Sequence, residues 1–154
     1  MSKQRGFEII EAYKDKNINV PQRKTVGSAG YDIEAAEDTT IPTFSFGQKP
    51  TLVKTGLKSY FPSNEVLYLV NRSSNPLKKG LVLANSIGII DSDYYNNPDN
   101  EGHLMFAYYN FNDEDIIIHK GDRIGQGIFS PFLLTDSDTI TGNRLGGFGS
   151  TDKS

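Results

Sequence analysis

Strand-like apolar runs return along this chain at intervals too short for helices to fit between them. FEIIEAY at 7–13, PTLVKTG at 50–56, EVLYLVNR at 65–72, GLVLANSIGIID at 80–91, HLMFAYYNF at 103–111, DIIIH at 115–119 and GDRIGQGIFSPFLL at 121–134 are rich in β-branched and aromatic residues. Turn clusters such as FPSN, NRSSNP, NNPDNEG and HKGD lie between them, the punctuation of consecutive strands. No window sustains a helical apolar stripe for the usual length of about 10 residues, and the connections are too short for crossover helices. The expectation is an all-β chain, an antiparallel β-barrel or sandwich.

With 154 residues the chain fits one domain, and folding at that size buries roughly 70% of the unfolded surface. Only 36% of the residues are hydrophobic, while glycine numbers 15 and proline 7; the chain reads as turn-rich, with a core lean enough to suggest oligomerisation. Cysteine is absent and histidine occurs twice, which excludes disulfide scaffolds, thiolate metal sites and histidine clusters. The N-terminal MSKQRGFEIIEAYK has no apolar h-region, and no run of about 18 apolar residues occurs, so neither a signal peptide nor a membrane span is expected and the cytoplasm is the expected location. A net charge of −3 without a basic block speaks against direct nucleic-acid binding. Residues 1–141 are expected to form the β domain, and 142–154, opening with GNRLGGFGST, a flexible C-terminal arm.

Five polar stretches interrupt the β rhythm, and each has a structural and a chemical reading. In GSAGYDIEAAED, Gly27 and Gly30 shape a turn that Asp32 caps, or they admit a ligand to Asp32 at a strand start. In NRSSNPLKKG, Arg72 and Ser73 stand at the end of an apolar strand, either as a solvated turn or as a fork of donors and a hydroxyl suited to phosphate. In GLVLANSIGIIDSDYY, Asn85 can donate and accept together, as an amide-bearing base edge requires, and Gly88 permits close approach. Asp91 and Asp93 share a face of an extended strand, and a carboxylate facing a cleft can orient and deprotonate water; the alternative is a purely structural hairpin. DSDYYNNPDNEG begins like a calcium loop but has Tyr95, Asn96 and Gly102 where a ligand, the sharp-turn glycine and the bidentate glutamate belong. GDRIGQGIF offers Arg123 and Gln126 on a strand after a hairpin turn. GGFG can present successive N–H groups to an anion, yet it lacks the lysine and helix of a P-loop. His103 and His119 are isolated, and the aromatics of HLMFAYYNF alternate as packing residues do.

In their order along the chain, AGYDIEAAED, NRSS, GLVLANSIGIIDSDYY, GDRIGQ and R-x-GGFGST resemble the five motifs of the homotrimeric dUTPases, and the NNPDNEG insertion resembles the variant of Gram-positive bacteria and their phages. The resemblance implies a jelly-roll-like β subunit, a homotrimer with sites at its interfaces, and hydrolysis of dUTP to dUMP and pyrophosphate with Mg2+ holding the triphosphate. It implies Asp91 as the carboxylate that activates water, with Gln126 and Arg144 as further catalytic groups. Tyr94 corresponds to the ring under the deoxyribose, and Asn85 to the uracil reader, helped by Gly88, Ile89, Ile90 and Met105. Arg72, Ser73 and Ser74 match the phosphate turn, and Asp32 the aspartate that holds a magnesium-bound water. Gly147, Phe148, Gly149, Ser150 and Thr151 match a lid closing over the nucleotide.

Two departures from the family pattern carry questions. Asn71 and Ser74 replace the proline and glycine of the second motif, and Leu145 alone separates Arg144 from the glycine pair where two residues are usual, so Arg144 either follows an altered path or has a weaker role. The same fold also serves dCTP deaminases, whose chemistry needs a glutamate near the pyrimidine, and a noncatalytic trimer binding a regulatory protein partner is a third reading.

Overall fold

The computed structural model describes residues 2–142, 144, 146 and 147. Within them the chain forms eleven strands: β1 (Gly6–Ile9), β2 (Tyr31–Glu34), β3 (Thr39–Ile41), β4 (Thr51–Lys54), β5 (Leu57–Tyr60), β6 (Glu65–Asn71), β7 (Leu81–Leu83), β8 (Gly88–Ile90), β9 (Met105–Asn110), β10 (Ile116–Ile118) and β11 (Arg123–Pro131). The strands pair antiparallel throughout, in sheets ordered β2-β11-β6-β8, β4-β9-β7, β1-β5 and β10-β3. The all-β jelly-roll-like expectation holds.

The core lies between the four-stranded and three-stranded sheets. Ile33, Leu67, Leu69 and Ile124 from the first meet Val53, Leu81, Phe106 and Tyr108 from the second, all at most 2% exposed. Strand period two produces this directly: along β9, Phe106, Tyr108 and Asn110 are buried while Met105, Ala107 and Tyr109 stay partly exposed. The sheets approach so closely at Gly125 that a Cβ there would lie 2.3 Å from the Phe106 ring, so glycine is the residue the packing admits.

The differences from the sequence reading have local causes. The run at 7–13 is a strand only to Ile9, because Ile10 N–H donates to Gly56 O at 2.9 Å and Glu11 N–H to the Glu101 carboxylate at 3.1 Å, which turns Glu11–Tyr13 into a single 3-10 turn. Strands β3 and β5, with sequences TTI and LKSY, carry too few apolar residues to stand out. Asn75–Lys79 is one wide turn of π-helix, too short for any periodic stripe.

The departures in the second motif are accounted for here. Asn71 is a polar hub: its Oδ1 accepts from Arg72 N–H at 2.9 Å, Asn75 Nδ2 at 2.7 Å and the Tyr108 hydroxyl at 3.1 Å, and its Nδ2 donates to Leu81 O at 3.1 Å. Proline could make none of these side-chain bonds. Ser74 has φ −74°, ordinary helical backbone, so glycine's conformational freedom is not needed at that place.

Candidate active site

The β7–β8 connection is tight. Ser86 takes φ +65°, Ile87 N–H donates to Asn85 O at 2.7 Å, and the chain turns back as β8, paired with β6 through Leu69↔Gly88 and Leu67↔Ile90. At the end of β8 the backbone stays extended through Asp91 and then coils as a single turn, Ser92–Tyr94. This short stretch builds most of a cleft of about 260 Å³ lined by Leu69, Asn85, Gly88, Ile89, Ile90, Asp91, Tyr94, His103, Met105 and Arg144. Of the residues singled out in the sequence, Asn85, Gly88, Ile89, Ile90, Asp91, Tyr94, Met105 and Arg144 are therefore brought together.

Arg144 arrives from far along the chain. Its Nη2 donates to Asp91 Oδ2 at 2.5 Å, its Nε to Asp93 Oδ1 at 2.8 Å and its Nη1 to Gly146 O at 3.2 Å. Its side chain is 12% exposed, against 55% for each aspartate. Burial works against the cation, but the hydrogen bonds and charges of Asp93 and Asp91 outweigh it, and the Arg144 pKa lies above the usual arginine value. The guanidinium also stands 5.9 Å from the centre of the Tyr94 ring. Asp91 and Asp93 thus converge through a shared arginine, even though they lie on a turn and not on one strand face.

Tyr94 is 7% exposed. Its hydroxyl donates to His103 O at 2.7 Å and accepts from Asn100 Nδ2 at 2.8 Å. Burial raises its pKa, opposed by the Asn100 hydrogen bond and the Arg144 charge. His103, which the sequence left as an isolated histidine, lies in the cleft wall; its Nε2 accepts from Gly56 N–H at 2.9 Å. Burial, with a smaller push from Lys54, holds its pKa down at about 4, so it is neutral and carries its proton on Nδ1. Leu69, His103 and Asn100 have no local sequence signal as site residues, because long-range pairing alone brings them here.

Asp32, Arg72 and Gln126 belong to a second cluster on neighbouring strands. Gln126 is the register partner of Asp32, Gln126 Nε2 lies 3.5 Å from Asn71 O, and Arg72 Nη1 donates to Arg123 O at 3.1 Å. Asp32 Oδ2 is 3.8 Å from Arg123 Nη1. Gly30 is packed against this cluster: a Cβ there would fall 1.9 Å from Gln126 Oε1. Ser73 and Ser74 follow Arg72 at the same end of β6. Phe148, Gly149, Ser150 and Thr151 lie outside the described residues; Gly147 is buried against Tyr94.

An antiparallel β-sandwich with a polar cleft of nucleotide-ring size, a carboxylate at its mouth and a tyrosine as its wall defines a small-molecule site on a jelly-roll scaffold. A protein-family model described as dUTPase matches residues 16–151. The chain is 56% identical over 150 residues to the deoxyuridine 5'-triphosphate nucleotidohydrolase of Lactococcus lactis, covering 96% of this chain and 97% of that one. It is 39% identical over 150 residues to the enzyme of the same name from Desulfitobacterium hafniense, covering 94% of each. The crystal structure of dUTPase from Streptococcus mutans superposes with a TM-score of 0.80 at 51% identity, over 86% of this chain and 99% of that one. The chain belongs to the dUTPase family.

Proposed function

We propose that the cleft between β7–β8, Tyr94 and Arg144 is where this dUTPase binds and hydrolyses dUTP, yielding dUMP and pyrophosphate. The observation that carries the assignment is the convergence of Asn85, Asp91 and Tyr94 on one cleft. Asn85 reads the uracil edge with its amide, beside backbone groups of Gly88, Ile89, Ile90 and Met105. Tyr94 forms the wall under the deoxyribose. Asp91 holds the attacking water: Arg144 occupies Oδ2, so Oδ1 takes the proton as the water oxygen bonds to the α-phosphorus and the bond to the β-phosphate bridging oxygen breaks. Arg144 meets the phosphates as negative charge shifts toward the leaving pyrophosphate, and Gly147 packs against Tyr94 beside it. A deaminase reading is disfavoured because no glutamate is among the described residues lining the cleft.

Strand register supports a site shared between chains. Asp91 continues β8 past the Leu67↔Ile90 pair, whereas Arg72 follows the opposite end of β6, six residues further along from Val66. At about 3.3 Å per residue that is roughly 20 Å. The phosphate turn of Arg72, Ser73 and Ser74, with Gln126, therefore serves the Asp91 cleft of another copy, as a homotrimer allows. Mass measurement in solution tests this; a monomer at micromolar concentration would defeat it.

Magnesium is the proposed metal, and one staphylococcal phage phi11 dUTPase structure is described as coordinating a structural Mg(II) ion. Among the described residues no group of three His, Cys, Asp or Glu is arranged to hold a metal directly. Such a donor set fits an ion that keeps waters and substrate phosphates as ligands, with Asp32, 22% exposed, accepting from one of those waters. When bound, magnesium neutralises triphosphate charge. Among the described residues no helix is long and apolar enough to cross a membrane, and action in the cytoplasm is the proposed setting. The decisive assay is pyrophosphate release from dUTP, dTTP, UTP and dCTP with and without magnesium: dUTP turnover should dominate, equal turnover of the first three would defeat the specificity assignment, and ammonia release from dCTP would reverse the choice of reaction.

A further inference from the structure

Residues Asn96 to Gly102 form an insertion between the turn that carries Tyr94 and strand β9, and they are tied down at several points. Lys58 Nζ, 12% exposed, donates to Asn96 Oδ1 at 2.5 Å and to Glu101 Oε2 at 2.7 Å. Both Glu101 oxygens also accept from Glu11 N–H, at 3.1 and 3.3 Å. Buried Asn97 donates to Tyr94 O and to Asn100 Oδ1, each at 2.8 Å. Gly102 closes the loop at φ +90°, where a Cβ would sit 2.7 Å from Tyr94 O, so both its conformation and its surroundings call for glycine.

From this braced loop the Asn100 side chain reaches the hydroxyl of Tyr94, which lines the cleft. Its Oδ1 is held by Gly102 N–H at 3.1 Å and by Asn97, which fixes the amide so that Nδ2 points at the Tyr94 hydroxyl, 2.8 Å away. With its own proton committed to His103 O, the phenol is gripped from both sides. Gly147 of the arm then packs on the same pair: a Cβ there would fall 2.8 Å from Tyr94 Cε1 and 3.5 Å from Asn100 Nδ2.

We infer that Asn100 is a specificity-determining positioning residue: through the Tyr94 hydroxyl it sets the ring that excludes a ribonucleotide's 2'-hydroxyl, and with that ring it forms the seat for Gly147. This rests on the reading of Tyr94 as the wall under the sugar. A phenol held at one point can tilt about its Cβ; one held at two cannot without breaking a hydrogen bond. Rejection of a single extra hydroxyl depends on a wall that does not yield.

The test compares kcat/KM for dUTP and UTP in the parent enzyme, Asn100→Ala, Asn100→Asp and Tyr94→Leu, with thermal melts of each. Asn100→Asp keeps the Oδ1 acceptor that organises the loop and replaces the donor to Tyr94 with a second acceptor, so the single phenol proton can bond to His103 O or to residue 100 but not both, and the variant carries the test if Asn100→Ala fails to fold. Both Asn100 variants should lower the dUTP/UTP discrimination about tenfold, the scale of one buried hydrogen bond, with kcat for dUTP changed far less. Reduced discrimination in Tyr94→Leu but parent-like discrimination in the folded Asn100 variants would overturn the role of Asn100 and leave Tyr94 in place. Unchanged discrimination in Tyr94→Leu would overturn the sugar-wall reading and this inference with it. A lower melting temperature with an unchanged ratio would show that Asn100 serves the loop alone.

Discussion

Replacing Asp91 with asparagine keeps the size of the side chain and removes the carboxylate proposed to take the proton. General-base assistance is worth roughly 10²- to 10⁴-fold, and kcat for dUTP should fall within that range. The substitution also weakens the hold on Arg144, because its 2.5 Å contact with Asp91 loses the carboxylate charge and keeps at most a neutral amide acceptor. That contact joins a side chain 12% exposed to one 55% exposed, so solvent screening limits it to about 1 kcal/mol, and the 2.8 Å bond to Asp93 remains. That weakening then accounts for no more than about a fivefold change, and a loss beyond a hundredfold belongs to the chemistry. The assay is pyrophosphate release at saturating dUTP and magnesium, paired with calorimetric binding of a nonhydrolysable dUTP analogue, whose affinity should stay within about fivefold. A kcat within tenfold of the parent would remove Asp91 from the proton-transfer role.

Gly147→Ala places a methyl 2.8 Å from Tyr94 Cε1; the arm must lift, and kcat/KM for dUTP should drop by about tenfold or more in steady-state kinetics while the melting temperature holds. Asn75 is 1% exposed and donates to Asn71 Oδ1 at 2.7 Å and Ile124 O at 2.9 Å, so Asn75→Ala should cost about 2–3 kcal/mol in urea unfolding. Burial holds the His103 pKa down at about 4 in the folded chain, against the ordinary histidine value of 6.5 when unfolded. The unfolded state therefore binds the proton first as pH falls; the stabilisation is complete above about pH 6.5 and is lost as pH drops through 4. The loss amounts to about 2 kcal/mol after allowance for residual solvent screening, and His103→Gln should flatten that part of the stability profile relative to the parent.

The all-β architecture was legible because strand periodicity is local: alternation in Met105–Asn110 assigns each side chain to a face before any partner strand is known. The Asn85–Asp91–Tyr94 part of the cleft was legible for the same reason, since ten consecutive residues and one tight turn build it. Strands β3 and β5 were not, because TTI and LKSY owe their state to the strands they pair with. Sequence by itself thus determined the chemistry available, a carboxylate, an amide and a ring in one segment, and a glycine-rich end able to approach them. Only the tertiary structure decided that Arg144 rests on Asp91 and Asp93, that Asn71 ties the end of β6 to Arg72, Asn75, Leu81 and Tyr108, and that Asn100 and His103 hold Tyr94. It also set Arg72 roughly 20 Å of strand away from Asp91. Those outcomes depend on strand register and on hydrogen bonds between residues as much as 53 positions apart, and a one-residue shift in pairing would turn each side chain to the opposite face.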